Sequence, residues 1–149
     1  MLLLPEIANV IRGEDAPAHF TAEEARFVTA QFVRGNLIRV ALPYIDGRYK
    51  KGFEPTLEKL NEVDGVWALC FRKPAPGWRL IGRFGEMGTF VGLELADRRD
   101  LGRKGAMSYP TAITRAIERW QCLFAGIPPH VGTTIEDYAG GLCYDANAQ

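Results

Sequence analysis

Histidine, cysteine and any excess of charge are all scarce in this chain of 149 residues. The three cysteines, Cys70, Cys122 and Cys143, are odd in number and widely separated. They match neither a disulfide framework nor a zinc pattern, and they point to reduced thiols in a cytoplasmic protein. The two histidines, His19 and His130, have no second histidine or cysteine at metal-ligand spacing, so no metal site and no cofactor is expected. Eighteen basic and eighteen acidic side chains cancel, which argues against avid nonspecific binding to nucleic acid. No apolar run approaches the length of a membrane span, so no membrane partner is expected. Met1-Leu2-Leu3-Leu4 stops at Pro5-Glu6, lacks a basic start and reads as the lead into a helix. There is no internal repeat and no composition shift, so residues 1–149 read as a single domain with enough apolar content for a real core.

The zero net charge conceals an asymmetry. Residues 1–33 carry two basic and five acidic side chains, residues 34–104 fourteen and nine, and residues 105–149 two and four. The middle is therefore positive by five, and a local positive patch there could meet an anionic partner.

Periodicity predicts a helix containing Leu4, Ile7, Val10 and Ile11, stopped at Gly13. Thr21-Ala22-Glu23-Glu24 has the spacing of a capping box at the start of a second helix. Ala25, Val28 and Phe32 form its buried stripe, and Gly35 closes it. Residues 36–42 read as a strand. Pro55 is placed to start a short helix with Leu57 and Leu60 facing inward, ended by a turn at Asp64-Gly65. A helix over residues 111–124 carries Ile113, Ile117, Trp120 and Phe124 on one side, and Pro128-Pro129 prevents its continuation. Thr134 is placed to cap a last short helix with Ile135 and Tyr138, ended by Gly140-Gly141. Residues 145–149 are expected to be disordered.

Residues 66–101 are the most informative stretch. Turn chemistry at Lys73-Pro74-Ala75-Pro76-Gly77 and Gly85-Glu86-Met87-Gly88 divides them into three antiparallel strands. Alternation places Trp67, Leu69, Phe71, Trp78, Leu80, Phe84, Val91, Leu93 and Leu95 on one core face, covered by helices that include Trp120. The opposite face receives Ala68, Cys70, Arg72, Arg79, Ile81, Arg83, Phe90, Gly92 and Glu94. The fold class is thus α+β, an antiparallel meander sheet with helices packed on one face. Two registers keep the apolar face together. One pairs Phe71 with Trp78 and Cys70 with Arg79. The other pairs Phe84 with Thr89, setting Arg79 opposite Glu94 and Arg83 opposite Phe90. On this reading Arg72, Arg79 and Arg83, with Arg98 and Arg99 just past the last strand, form an open cationic floor suited to phosphate or carboxylate. A cross-strand pair of Arg79 with Glu94 is the plainer alternative. Cys70 beside Arg79 could be an acidified nucleophile, but it has no partner histidine nearby in sequence. Gly82, Gly85 and Gly88 fall within strands and a turn, not at a strand-to-helix junction, and so form no phosphate loop.

The segments Trp67-Ala68-Leu69-Cys70-Phe71-Arg72, Gly77-Trp78-Arg79-Leu80-Ile81, Gly88-Thr89-Phe90-Val91 and Asp97-Arg98-Arg99-Asp100-Leu101 together resemble the core of RelE/ParE-type toxins. The resemblance implies a small α+β domain restrained by an antitoxin. It also implies either RelE-like endoribonuclease action on mRNA at the ribosome or ParE-like interaction with DNA gyrase. Arg72 and Arg79 would match basic residues of the toxin's sheet face, and Arg98 or Arg99 its late arginine. Such groups orient RNA and stabilise charge on the scissile phosphate. Tyr109 is the nearest tyrosine or histidine after Arg99. The residues leave three functions open: an RNA- or anion-binding protein, a non-enzymatic protein-interaction module, and a small-molecule enzyme.

Overall fold

The computed structural model describes residues 1–36, 38–41, 54–102, 108–139 and 144–146. Among the described residues, seven strands form one mixed sheet in the order β1-β6-β5-β4-β3-β2-β7. They are β1 (Leu2–Leu3), β2 (Ile38–Ala41), β3 (Leu57–Asn61), β4 (Val66–Phe71), β5 (Trp78–Glu86), β6 (Thr89–Asp97) and β7 (Tyr144–Ala146). The helices are α1 (Pro5–Arg12), α2 (Ala22–Val33), α3 (Tyr109–Leu123) and α4 (Ile135–Ala139). The expected α+β class and the central antiparallel run β3 to β6 are present. The sheet is not a pure meander, because β1 joins β6 in parallel and β2 lies parallel to both β3 and β7. No helix among the described residues is long and apolar enough to cross a membrane.

Helices cover both faces of this sheet, where one face was expected. One face packs Trp67, Leu69, Phe71, Leu80, Phe84 and Phe90 against Ile7 and Ile11 of α1, Ala25, Val28 and Phe32 of α2, and Tyr138 of α4. The other packs Val66, Ala68, Ile81, Val91 and Leu93 against Ala112, Ala116 and Trp120 of α3. A bulge explains why Val91 and Leu93 leave the face predicted for them. Ile81 pairs with Glu94 but Gly82 pairs with Gly92, so the register shifts by one residue there. One extra residue on one strand moves its later side chains to the other side. A second shift, between Phe84 and Glu86, pairs Phe84 with Phe90 rather than Thr89, and beyond both shifts Arg79 faces Ala96 rather than Glu94. The register of Phe71 with Trp78 and Cys70 with Arg79 is as expected. Having gained Val91 and Leu93, the second face is apolar enough to demand a cover, and α3 supplies it. The small Ala112 and Ala116 are buried in that contact with Trp120, and the expected Ile113, Ile117 and Phe124 pack against it half-buried.

Several local expectations hold. α1 ends on Gly13 in the left-handed conformation, with φ 94°. Gly35 follows α2 with φ 68°. Ile135 and Tyr138 of α4 are buried. Others are corrected. Residues 57–61 are a strand and not a helix, because β2 and β4 flank them and satisfy their backbone on both edges. Thr21 does precede α2, yet its side chain makes no capping hydrogen bond, and Glu24 instead accepts the amide of Arg72. Before α4 it is the Asp137 carboxylate, not Thr134, that accepts the amides of Thr133 and Thr134. Leu2-Leu3 is an edge strand, and Asp145 and Ala146 pair with β2 instead of being disordered. Leu37, Leu42, the basic stretch 43–52, Arg103 and Lys104, Gly140-Gly141, Cys143 and residues 147–149 lie outside the described residues.

Candidate anion-binding site

The covered second face decides where the predicted arginines go. Arg79, the second residue of β5, pairs with Cys70 and is buried. Glu58 of β3 lies next to Ala68 on the same face. The small side chains of Ala68 and Cys70 on the intervening strand let Glu58 and Arg79 meet across it, Nε to Oε2 at 3.3 Å. Arg72, one residue beyond β4, brings Nη2 to 3.8 Å from the other oxygen of Glu58, and its Nε donates to the Pro55 carbonyl at 2.9 Å. Arg98 follows β6 and lays its guanidinium over the Tyr109 ring, 5.6 Å from the centroid, while Nη1 donates to the Leu101 carbonyl.

Tyr109 is the first residue of α3. Ser108 caps that helix by accepting the Thr111 amide, and Pro110 occupies the first turn, where a missing amide costs nothing. Arg72 and Arg79 therefore share the carboxylate of Glu58, and Tyr109 at the α3 N-terminal end links this pair to Arg98, feeling Glu58, Arg79 and Arg98 together. Glu24 reaches the same place, but only to the Arg72 backbone.

The ionisable groups report the environment. Burial, reinforced by Glu58, pushes the Cys70 thiol up to about 12, against the pull of Arg79 and Arg72. At neutral pH Cys70 is therefore a protonated, structural thiol and not a nucleophile. Burial alone would lower Arg79, but Cys70 and Glu58 outweigh it and hold the guanidinium above its ordinary value. Because Cys70 is neutral at physiological pH, Glu58 is the partner that counts there. Burial, then Glu58, raises the Tyr109 hydroxyl, with Arg79 and Arg98 opposing.

The structure does not bring all five predicted arginines onto one open surface. Arg83 is buried further along β5, roughly 13 Å from Arg79 at strand spacing. Its Nε and Nη2 both donate to the Asp64 carbonyl, and it lies 5.7 Å from the Trp120 ring centre. Arg99 is folded back on the Asp97 carboxylate, whose pKa is held low mainly by that hydrogen bond. Arg79 and Arg83 are thus interior groups, since α3 covers the face expected to be open. Glu94, expected beside Arg79, instead faces Arg115 and Arg119 of α3, at 3.7 and 3.0 Å.

Sequence reasoning missed Glu58. Reading residues 57–61 as a helix hid the alternation that would have set Glu58 beside Ala68. Tyr109 was noted only for its position after Arg99; its ring was not placed against Arg98. His130 is more than a surface residue, since its amide donates to Phe84 and its Nε2 lies 2.6 Å from the Asp137 carbonyl. No family model, curated protein or solved structure matches this chain. The likeness to RelE/ParE-type toxins accordingly rests on the residues that suggest it.

Proposed function

We propose that the protein binds a phosphate-bearing partner, with single-stranded RNA as the test case, at the α3 N-terminal end through Arg72 and Arg98. The observation that carries this reading is the charge ratio at the site. Two guanidiniums, those of Arg72 and Arg79, meet the carboxylate of Glu58, and a third, that of Arg98, lies over Tyr109, which also feels Glu58 and Arg79. Arg79 is buried and its Nε is committed to Glu58, so it holds the carboxylate in place. Arg72 and Arg98 are only half-buried and keep N–H groups turned to solvent chemistry. A planar fork of donors suits phosphate oxygens, and the positive end of the α3 helix dipole favours the same charge. The positive middle of the chain agrees.

RNA cleavage is not part of this reading. A thiol raised to about 12 and a raised tyrosine stay protonated at neutral pH and so are poor proton acceptors.

The test is titration of a labelled single-stranded RNA at several salt concentrations. Each phosphate contact on a single strand contributes about 0.7 to the log–log salt slope, so removing two with Arg72→Gln and Arg98→Gln should reduce it by about 1.4. An unchanged slope, or no binding by the unaltered protein at low salt, overturns the proposal.

A further inference from the structure

A second feature lies away from that site, on the same side of the sheet. An open cleft of about 390 Å³ runs between the C-terminal half of α3 and the loop that follows it. Trp120 and Phe124 form one wall, with ring centres 4.5 Å apart, and Ile127, Pro128 and Pro129 form the other. Trp120 Nε1 donates to the Ile127 carbonyl, which ties the two walls together. Arg83 sits at the floor, only 6% exposed. Two of its nitrogens share the Asp64 carbonyl, and no carboxylate of a described residue pairs with it. Its Nη1 has no hydrogen-bond partner among the described residues, yet it is not among the sealed, unsatisfied buried atoms. Arg83 lines the cleft, and Nη1 is its guanidinium nitrogen left for a ligand there.

We propose that this cleft binds a small aromatic monocarboxylate, its carboxylate on Arg83 Nη1 and its ring between the Trp120–Phe124 wall and Ile127. The volume falls within the range of small-ligand sites, which are mostly apolar with a few convergent polar groups. A buried guanidinium paired only with a carbonyl and a ring is undercompensated, and burial lowers its pKa. A ligand carboxylate supplies the missing partner. The Asp64 side chain also lines the cleft and acts on Arg83 without forming an ion pair. It sets a cost for an anionic ligand, so Asp64→Asn should tighten binding.

The test follows the Trp120 indole N–H resonance by NMR, assigned with Trp120→Phe, as phenylacetate or its neutral isostere phenylacetamide is added. Phenylacetate should shift the resonance with an affinity about tenfold or more above that of the amide, the size expected of a charge-assisted hydrogen bond. Arg83→Gln should remove that difference. Because Arg83 is buried, a second variant guards against loss of the fold. Gln121→Glu, at an exposed position lining the cleft, should weaken phenylacetate and leave phenylacetamide unchanged. Equal shifts by acid and amide, no shift by either, or phenylacetate affinity unaffected by both variants overturns the proposal. RNA binding by Arg72 and Arg98 should be untouched by these changes, so the two sites succeed or fail separately.

Discussion

Glu58 on β3 and Arg79 on β5 form an ion pair that spans the strand between them, at 3.3 Å and with both side chains largely withdrawn from water. Taking one charge away from such a pair costs far more than the pair contributes, because the other is left buried alone. Glu58→Gln should therefore destabilise the protein by about 3–5 kcal/mol, read as a fall in the urea midpoint. Replacing both partners, with Glu58→Leu and Arg79→Met, should recover most of that loss, since well-packed apolar groups often match a buried pair. Arg72 tolerates the change because it reaches solvent and retains the Pro55 carbonyl. A single variant as stable as the unaltered protein would show that the pair is solvated.

The bulge between β5 and β6 depends on Gly82. A Cβ there would stand 2.0 Å from the Val91 carbonyl oxygen and 2.8 Å from the Phe90 ring. Gly82→Ala must therefore spread the two strands, costing at least about 1–3 kcal/mol. Gly85 is the control on the same strand. A Cβ added there meets Val91 and Trp120 at 3.7 and 3.8 Å, ordinary contact distances. Gly85→Ala should stay close to neutral in the same denaturation experiment. Equal effects of the two changes would contradict the described register.

The bulge also marks where the sequence stops being legible. The three central strands follow from alternation and turn residues, and so does the register of β4 with β5. A one-residue shift at Gly82 leaves no trace in composition, yet it sends Val91 and Leu93 to the far side and recruits α3 there. A second shift between Phe84 and Glu86 restores the register at the hairpin end, so the single-faced sheet expected from simple alternation fails in the segment between the two. β3 was hidden differently. Pro55 suits a helix start, but its neighbours β2 and β4, one of them distant in sequence, impose the strand. The arginine cluster was half legible. Arg72 and Arg79 do meet at Glu58 and Arg98 lies over Tyr109, whereas Arg83 and Arg99 are diverted by the Asp64 carbonyl and the Asp97 carboxylate.

Two helix starts give opposite expectations from similar sequence. Ser108 accepts the Thr111 amide, so Ser108→Ala should cost about 0.5–2 kcal/mol. Thr21 makes no such bond, so Thr21→Ala should cost less than about 0.5 kcal/mol despite the capping-box spacing. Thermal melting of the two variants side by side checks the contrast, and a Thr21 effect as large as that of Ser108 would restore the capping box.

Asp137 should make stability depend on acid pH. Its carboxylate accepts the amides of Thr134 and Thr133 and the Thr133 hydroxyl, and the backbone bonds hold its pKa below the ordinary value. A carboxylate depressed in the folded state contributes fully above its unfolded pKa, about 3.9. The contribution is lost as pH falls through the lower folded value. Asp137→Asn should therefore melt below the unaltered protein at neutral pH, with the gap narrowing under acid conditions. A gap that is the same at both pH values would show that the carboxylate charge contributes nothing to this turn.

Cys70 offers the sharpest chemical check on the covered face. It is 2% exposed, beneath α3 and beside Glu58, and its thiol is pushed up to about 12. Thiol reagents attack the thiolate, so both access and ionisation protect it near neutral pH. With Cys122→Ser and Cys143→Ser leaving Cys70 as the single thiol, a maleimide should leave the folded protein unlabelled and modify it fully in denaturant. Adding Glu58→Gln removes the negative charge that raises the thiol while Arg72 and Arg79 remain, so labelling should become measurable at mildly alkaline pH. That variant also loosens the fold, so its labelling must be measured below its unfolding midpoint, where global opening is too rare to account for the rate. Rapid labelling of folded Cys70 at neutral pH would mean that the face carrying Arg79 is open after all, as alternation alone first suggests.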